Sequence, residues 1–204
     1  MKSDGRIKIL VAGAALFMGM LSAHAVSDAP PETLASPESF AAIADTAARS
    51  AALFAEVGKV LTNPRCVNCH PVGDRPHQGD LARLHQPPVA RGEDGFGLPA
   101  MRCPICHQNA NFDPGRVPGA PGWHLAPIEM GWEGKTAAEI CAQIKDPERN
   151  GGRSLDDLVH HFETEHLVSW AWAPGHDRRP PPGTQQEVVA LIAAWVKTGA
   201  VCPN

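Results

Sequence analysis

The chain has 204 residues, a formal charge of −4, and 18 basic against 22 acidic side chains. That balance excludes the footprint of a nucleic-acid partner and points to no acidic substrate. Twenty prolines, 19 glycines and no tyrosine exclude a fold of long regular elements, and a loop-rich chain of one-domain size needs more than side-chain packing to hold it together.

The first 25 residues read as a secretory signal peptide. Lys2, Arg6 and Lys8 give a basic start, ILVAGAALFMGML is an apolar run, and SAHA supplies small residues before a cut after Ala25. The run is shorter than the roughly 20 residues that span a bilayer, which disfavours an uncleaved anchor. Cleavage removes three basic side chains and one acidic one and moves the formal charge from −4 to −6. With no second apolar run of spanning length, the mature chain is expected outside the cytoplasm, in a bacterial periplasm, and not across the membrane.

Residues 26–35 read as a flexible leader, followed by one domain over 36–204. Ser36, Pro37 and Glu38 signal a helix start. Phe40, Ile43, Ala47, Leu53, Phe54, Val57 and Leu61 continue it at near-helical spacing until Asn63-Pro64. Residues 71–135 look irregular. Thr136 with Glu139 opens a short helix to about Lys145, and Ser154 opens another to about Glu165. Thr184 and Glu187 cap the clearest helix, with Val188, Leu191, Ile192, Trp195 and Val196 on one face and Gly199 at its end. No alternation is long enough for a sheet. The expected class is all-α, with terminal helices enclosing a loop-rich middle.

Two clusters, RCVNCH at 65–70 and RCPICH at 102–107, share one pattern. Cys-x-x-Cys-His is the attachment signature of c-type haem. Two thiols three apart add to vinyl groups on one porphyrin edge, and the histidine that follows binds the iron from the proximal side. Cys66, Cys69, Cys103 and Cys106 are thus the attachment points for two haem c groups, with His70 and His107 as proximal ligands. A thioredoxin-like pair would need a βαβ pattern. One zinc held by both pairs would leave the histidines accidental. With 10 histidines in 204 residues, chance places one after both pairs about once in 400. Arg65 and Arg102, one before each cluster, read either as partners of haem propionates or as ordinary surface arginines.

Six-coordinate iron wants a distal ligand for each haem. His85, His124, Met130 and His161 are the candidates, of which at most two can serve. His124 and Met130 lie in the apolar PGWHLAPIEMGW, His161 on the helix after Ser154, and His85 between the haems. His77, His160, His166 and His176 have charged or proline-rich neighbours and read as solvated. Cys141 and Cys202 remain. In an exported chain they read as a disulfide, with a thiolate axial ligand as the alternative.

These segments resemble a known family. An apolar helix, a Cys-x-x-Cys-His cluster and a C-terminal helix ending AAWVKTGAVCP are similar to the c-type cytochrome superfamily. More narrowly, RCVNCHPVGDRP, MRCPICHQNANFD, GWHLAP, KDPERNGGRSL, LVSWAWAPG and WVKTGAVCP resemble a proteobacterial di-haem cytochrome group. Its members are often labelled as a subunit accompanying isoquinoline 1-oxidoreductase-like molybdenum hydroxylases. The resemblance runs from about Phe40 to Pro203. It implies a cytochrome c-like fold, haem on Cys66, Cys69 and His70 and on Cys103, Cys106 and His107, and histidine at the positions of His85, His124 and His161.

Two function classes follow. One is a periplasmic carrier of single electrons between a dehydrogenase, such as a molybdenum hydroxylase, and other cytochromes of the respiratory chain. Its negative surface would favour partners with a basic docking patch. The other is a di-haem enzyme of peroxidase or sulfur-compound oxidase type, which needs an open or displaceable position on one iron.

Overall fold

The computed structural model describes residues 32–175 and 177–204. The expected signal peptide, the leader up to residue 31 and His176 lie outside the described residues.

The helix expected from Ser36 onward is two pieces. A 3-10 turn, Pro37–Phe40, precedes helix α1, Thr46–Leu61. Ser36 makes no side-chain cap. Asp45 instead holds an extended backbone and accepts from the Ala48 N–H at 2.7 Å. A carboxylate cap at the positive end of the helix prevails over the helical propensity of the alanine-rich run before it. The end of the expected leader is also part of the fold. The Glu32 carbonyl accepts from the Gly183 N–H at 2.8 Å, Ala35 N–H donates to Glu56 at 2.9 Å, and Leu34 joins the buried core.

Helix α2, Pro64–Val67, follows at once, with the Asn63 side chain accepting from the Arg65 N–H. The middle contains two small antiparallel ribbons that periodicity did not reveal. One pairs β1 (His77–Gln78) with β2 (Arg83–Leu84), and the other pairs β3 (Gly97–Leu98) with β4 (Met101–Arg102). Strands of two residues are too short for an alternating pattern to register. Helix α3, Cys103–Cys106, continues directly from β4.

The C-terminal half begins with α4 (Ala137–Lys145) and α5 (Leu155–Thr164) and ends with α7 (Gln185–Lys197). All three carry complete capping boxes, at Thr136 with Glu139, Ser154 with Asp157, and Thr184 with Glu187. Between them α6, His166–Trp172, was not anticipated. Glu165 ends α5 and also caps α6, accepting from the N–H groups of Leu167 at 2.6 Å and Val168 at 3.0 Å. A glutamate in that role carries no conventional start signal.

Helix α1 packs on α4 and α7, and α5 on α7. A Cβ added at Gly58 would stand 2.5 Å from the Ala137 Cβ, so glycine is what lets α1 and α4 approach. Phe54 and Trp195 meet with ring centroids 4.7 Å apart. The buried Ser50 hydroxyl donates to the Trp195 carbonyl and accepts from the Val201 N–H, fastening α1 to the C-terminal segment. Among the described residues no helix is long and apolar enough to cross a membrane.

Cys141 on α4 and Cys202 beyond α7 form a disulfide that closes a sequence separation of 61 residues. Chain-entropy scaling for a loop of that length gives about 4 kcal/mol. The Cys141→Ser, Cys202→Ser double variant should therefore lose about 4 kcal/mol of unfolding free energy, read as a lower urea midpoint against the disulfide-intact parent.

Candidate functional site

Each Cys-x-x-Cys-His cluster folds as one helical turn. The His70 N–H donates to the Cys66 carbonyl at 3.2 Å, and the His107 N–H to the Cys103 carbonyl at 2.9 Å. Residues at i, i+3 and i+4 share a helix face. In each cluster both thiols and the imidazole therefore lie on the same side of the turn. Pro64 and Pro104 sit in the first turn of α2 and α3, where a missing N–H goes unneeded.

Main-chain carbonyls far along the sequence fix both imidazoles. His70 Nδ1 lies 2.7 Å from the Met130 carbonyl, and His107 Nδ1 lies 2.7 Å from the Pro118 carbonyl. A carbonyl only accepts, so the proton sits on Nδ1 and Nε2 keeps a free lone pair. Each ring also lies flat against a tryptophan: Trp132 on His70 at 3.5 Å and 8°, and Trp123 on His107 at 4.6 Å and 6°. Burial pushes the His70 pKa down to about 4, and the same desolvation lowers that of His107. Both rings are neutral at neutral pH, the form that binds a metal. Burial also raises the thiols, Cys66 to about 12 and Cys69 to about 11, and Cys103 in the same direction. Those three thiols are uncharged within the fold.

A cavity opens in front of each cluster. That of about 370 Å³ is lined by Cys66, Cys69, His70, Met130, His161 and Phe162, among others. That of about 640 Å³ is lined by Cys103, Cys106, His107 and His85. Both volumes lie in the range of sites that enclose a cofactor-sized ligand. They adjoin, sharing Arg65, Cys69, Trp123, His124 and Trp170 in their walls. Trp123 and Trp170 meet edge to face at 4.8 Å.

The four distal candidates separate by position. His85 faces His107, ring centroids 5.9 Å apart, and its Nδ1 is bonded to the Pro87 carbonyl at 2.9 Å. Nε2 of His85 is therefore also free. His161 lies in the smaller cavity with His70; burial, then Arg153, lower its pKa. His124 borders both cavities, stacks on Phe96 at 4.8 Å, and bonds the Gly122 carbonyl through Nδ1. Met130 supplies the carbonyl that holds His70, which puts its main chain on the His70 side. Of the histidines expected in solvent, His160 and His166 are exposed. His77 is not: its side chain is 11 % exposed, lies 3.3 Å from the Glu133 carboxylate and borders the larger cavity.

The two cluster arginines divide. Arg102 forms a surface ion pair with Asp94 at 2.8 Å. Arg65 is buried between the cavities, bonded to the Arg179 carbonyl at 2.6 Å and to Asp80, with its guanidinium 5.9 Å over Trp170. Arg178, on the larger cavity, donates to the carbonyls of Pro174 and Arg116. Trp132 Nε1, on the smaller cavity's lining residue, is a buried donor with no partner among the described residues. Sequence reasoning missed the two stacking tryptophans and both carbonyl acceptors. The tryptophans lie in PGWHLAPIEMGW, the apolar stretch singled out for His124 and Met130, but nothing local pairs Trp132 with His70 or Trp123 with His107.

Among the described residues no three His, Cys, Asp or Glu side chains converge as a metal cage, so the two cysteine pairs do not form one tetrahedral site. The residues present fit a planar group held by two thioethers and one imidazole at each cavity. No family model, curated protein or solved structure matches the chain.

Asn111 supports the second site. Its Oδ1 accepts from Trp170 Nε1 at 3.0 Å and from the Gly119 N–H at 2.9 Å, and its Nδ2 donates to the Pro174 carbonyl at 3.0 Å. Gly119 adjoins the carbonyl that orients His107. Asn111→Ala would leave two donors unsatisfied and should lose about 2–4 kcal/mol, measured by chemical unfolding. Asn111→Asp keeps the acceptor oxygen and should lose less.

Proposed function

We propose that the protein is an exported di-haem c-type electron carrier. It passes single electrons in the periplasm between a dehydrogenase, of the molybdenum hydroxylase kind that the resemblance implies, and the respiratory chain. The observation that carries this reading is the doubling of one arrangement. Twice, a helical turn presents two cysteine thiols and a histidine with bare Nε2 to a cavity of cofactor size.

Cys66 and Cys69 would hold one haem and Cys103 and Cys106 the other, with His70 and His107 as proximal ligands. A bound haem iron supplies a one-electron couple. The chain's own contribution is to keep its ligands still. The carbonyls of Met130 and Pro118 keep each proton on Nδ1, and Trp132 and Trp123 restrain ring rotation. Neutral imidazoles held in this way need little reorganisation when the charge between them changes. His85, which faces His107 at 5.9 Å between ring centroids and keeps Nε2 free, would be the residue to hold the iron of the second site from the distal side. The shared smaller cavity supports His161 opposite His70. The buried Arg65 and the cavity-lining Arg178 are suited to carry haem carboxylates.

The enzyme alternative draws on one feature, the larger volume of the second cavity. It requires His85 to leave its iron.

Expression with haem-attachment machinery should yield a red protein with two haems per chain that stay attached in acid acetone. Both should be low-spin when oxidised. His85→Ala should convert one of the two to high-spin and leave the other unchanged. Colourless protein, or pigment released by acid acetone, overturns the reading. A parent protein with a high-spin signal that responds to peroxide or thiosulfate would favour the enzyme.

A further inference from the structure

Arg91 lies in neither cavity wall, yet it is only 7 % exposed. Its guanidinium donates to three carbonyls: Pro71 at 3.1 Å, Gly73 at 3.1 Å, and Ala126. Its main chain is equally committed, the N–H to the Asp74 carbonyl at 2.7 Å and the carbonyl to the Gly97 N–H at 2.8 Å. Among the described residues no carboxylate pairs with it, and its Nε is a buried donor without a partner. The carboxylates that feel its charge, Asp74 and Glu129, are both exposed.

A buried cation is costly unless paired. Bonds to neutral carbonyls satisfy three of its hydrogens and leave its charge uncancelled, and at low effective dielectric that charge reaches its neighbours. The nearest functional neighbour is fixed by the chain. Pro71 follows His70 directly, and Ala126 N–H donates to the Cys69 carbonyl at 3.0 Å. The guanidinium therefore clasps the two strands of chain that bracket the first cluster.

We propose that Arg91 is a fixed positive charge that tunes the first redox centre, raising its reduction potential and making the two centres inequivalent. The inference rests on the di-haem reading above. When a reduced partner protein gives one electron to the ferric site beside His70, that site becomes ferrous. Its charge falls by one, the partner is oxidised by one electron, and no bond is made or broken. A cation held next to the site favours the reduced form. Arg91 touches no iron ligand, so its role is positioning and electrostatic.

The test is a potentiometric titration of the matured di-haem protein with its Arg91→Gln and Arg91→Lys variants. In Arg91→Gln one midpoint should fall by about 59 mV, a tenfold change in the one-electron equilibrium, while the other stays in place. Arg91→Lys keeps the charge and gives up the forked donor, so both midpoints should match the parent. Unchanged midpoints in Arg91→Gln overturn the proposal, as does an equal fall in both variants, which would assign the effect to the hydrogen bonds. If Arg91→Gln does not mature, Arg91→Met takes its place as the charge-removing variant, with the same fall expected in one midpoint and unchanged midpoints again overturning the proposal. A parent protein without covalent haem sinks the di-haem reading instead, a failure visible before any titration.

Discussion

A hydrogen bond from an imidazole Nδ1 to a main-chain carbonyl does two things at once in this protein. It chooses the tautomer, leaving Nε2 with its lone pair, and it ties a local helical turn to a distant part of the chain. For His70 the acceptor is 60 residues away at Met130, and for His107 it is 11 residues away at Pro118. A Cys-x-x-Cys-His turn alone sets which face its side chains share. It does not set the rotation of the ring, and a ring free to rotate presents either nitrogen. The carbonyl removes that freedom, and the parallel tryptophan on the ring face restricts what motion remains.

The rest of the structure can be understood as what brings those two carbonyls into place. Helices α1, α4, α5 and α7 form a frame whose core takes in Met130 and Trp132 and has Cys66 and Val67 of the first cluster packed against it, and α4 lies immediately beyond the Met130–Trp132 segment that covers His70. The long middle has almost no regular structure, so side chains take over the hydrogen bonding that a ladder would otherwise supply. Arg91 gathers the carbonyls of Pro71, Gly73 and Ala126 around the first site. Asn111 gathers Gly119, Trp170 and Pro174 around the second. One site is braced by a cation and the other by an amide.

Capping boxes were readable in the sequence because both of their bonds are made by residues three apart. Thr136, Ser154 and Thr184 open their helices where those patterns lie. The clusters were readable for the same reason: their geometry is a property of one turn. The break before Thr46 was not, because an alanine-rich run keeps helical spacing while Asp45 caps against it. The α5–α6 junction was hidden because Glu165 serves two helices at once. The carbonyl acceptors were beyond reach in principle, since every residue carries a carbonyl and only the tertiary fold selects one. His77 misled through its proline-rich neighbours, although its partner, Glu133, lies 56 positions on and is invisible to a local reading.

The two sites differ most in their distance from solvent, and that difference carries a functional consequence for a one-electron carrier. The first cluster is deep enough to push its thiols to about 12 and about 11. Cys106 in the second is exposed, and beside it Ile105 is 63 % exposed, with Leu98, Met101 and Leu84 also apolar and open. Apolar side chains around a buried centre would be wasted, but around an accessible one they shed water easily when another protein approaches. Of the arginines that border the larger cavity, Arg102 is paired with Asp94 and Arg116 with Asp177. In the proposed reading, the second centre is where electrons cross between proteins. In that reading the first centre, more buried and adjoining the second across Trp123 and Trp170, would exchange electrons with partners through the second.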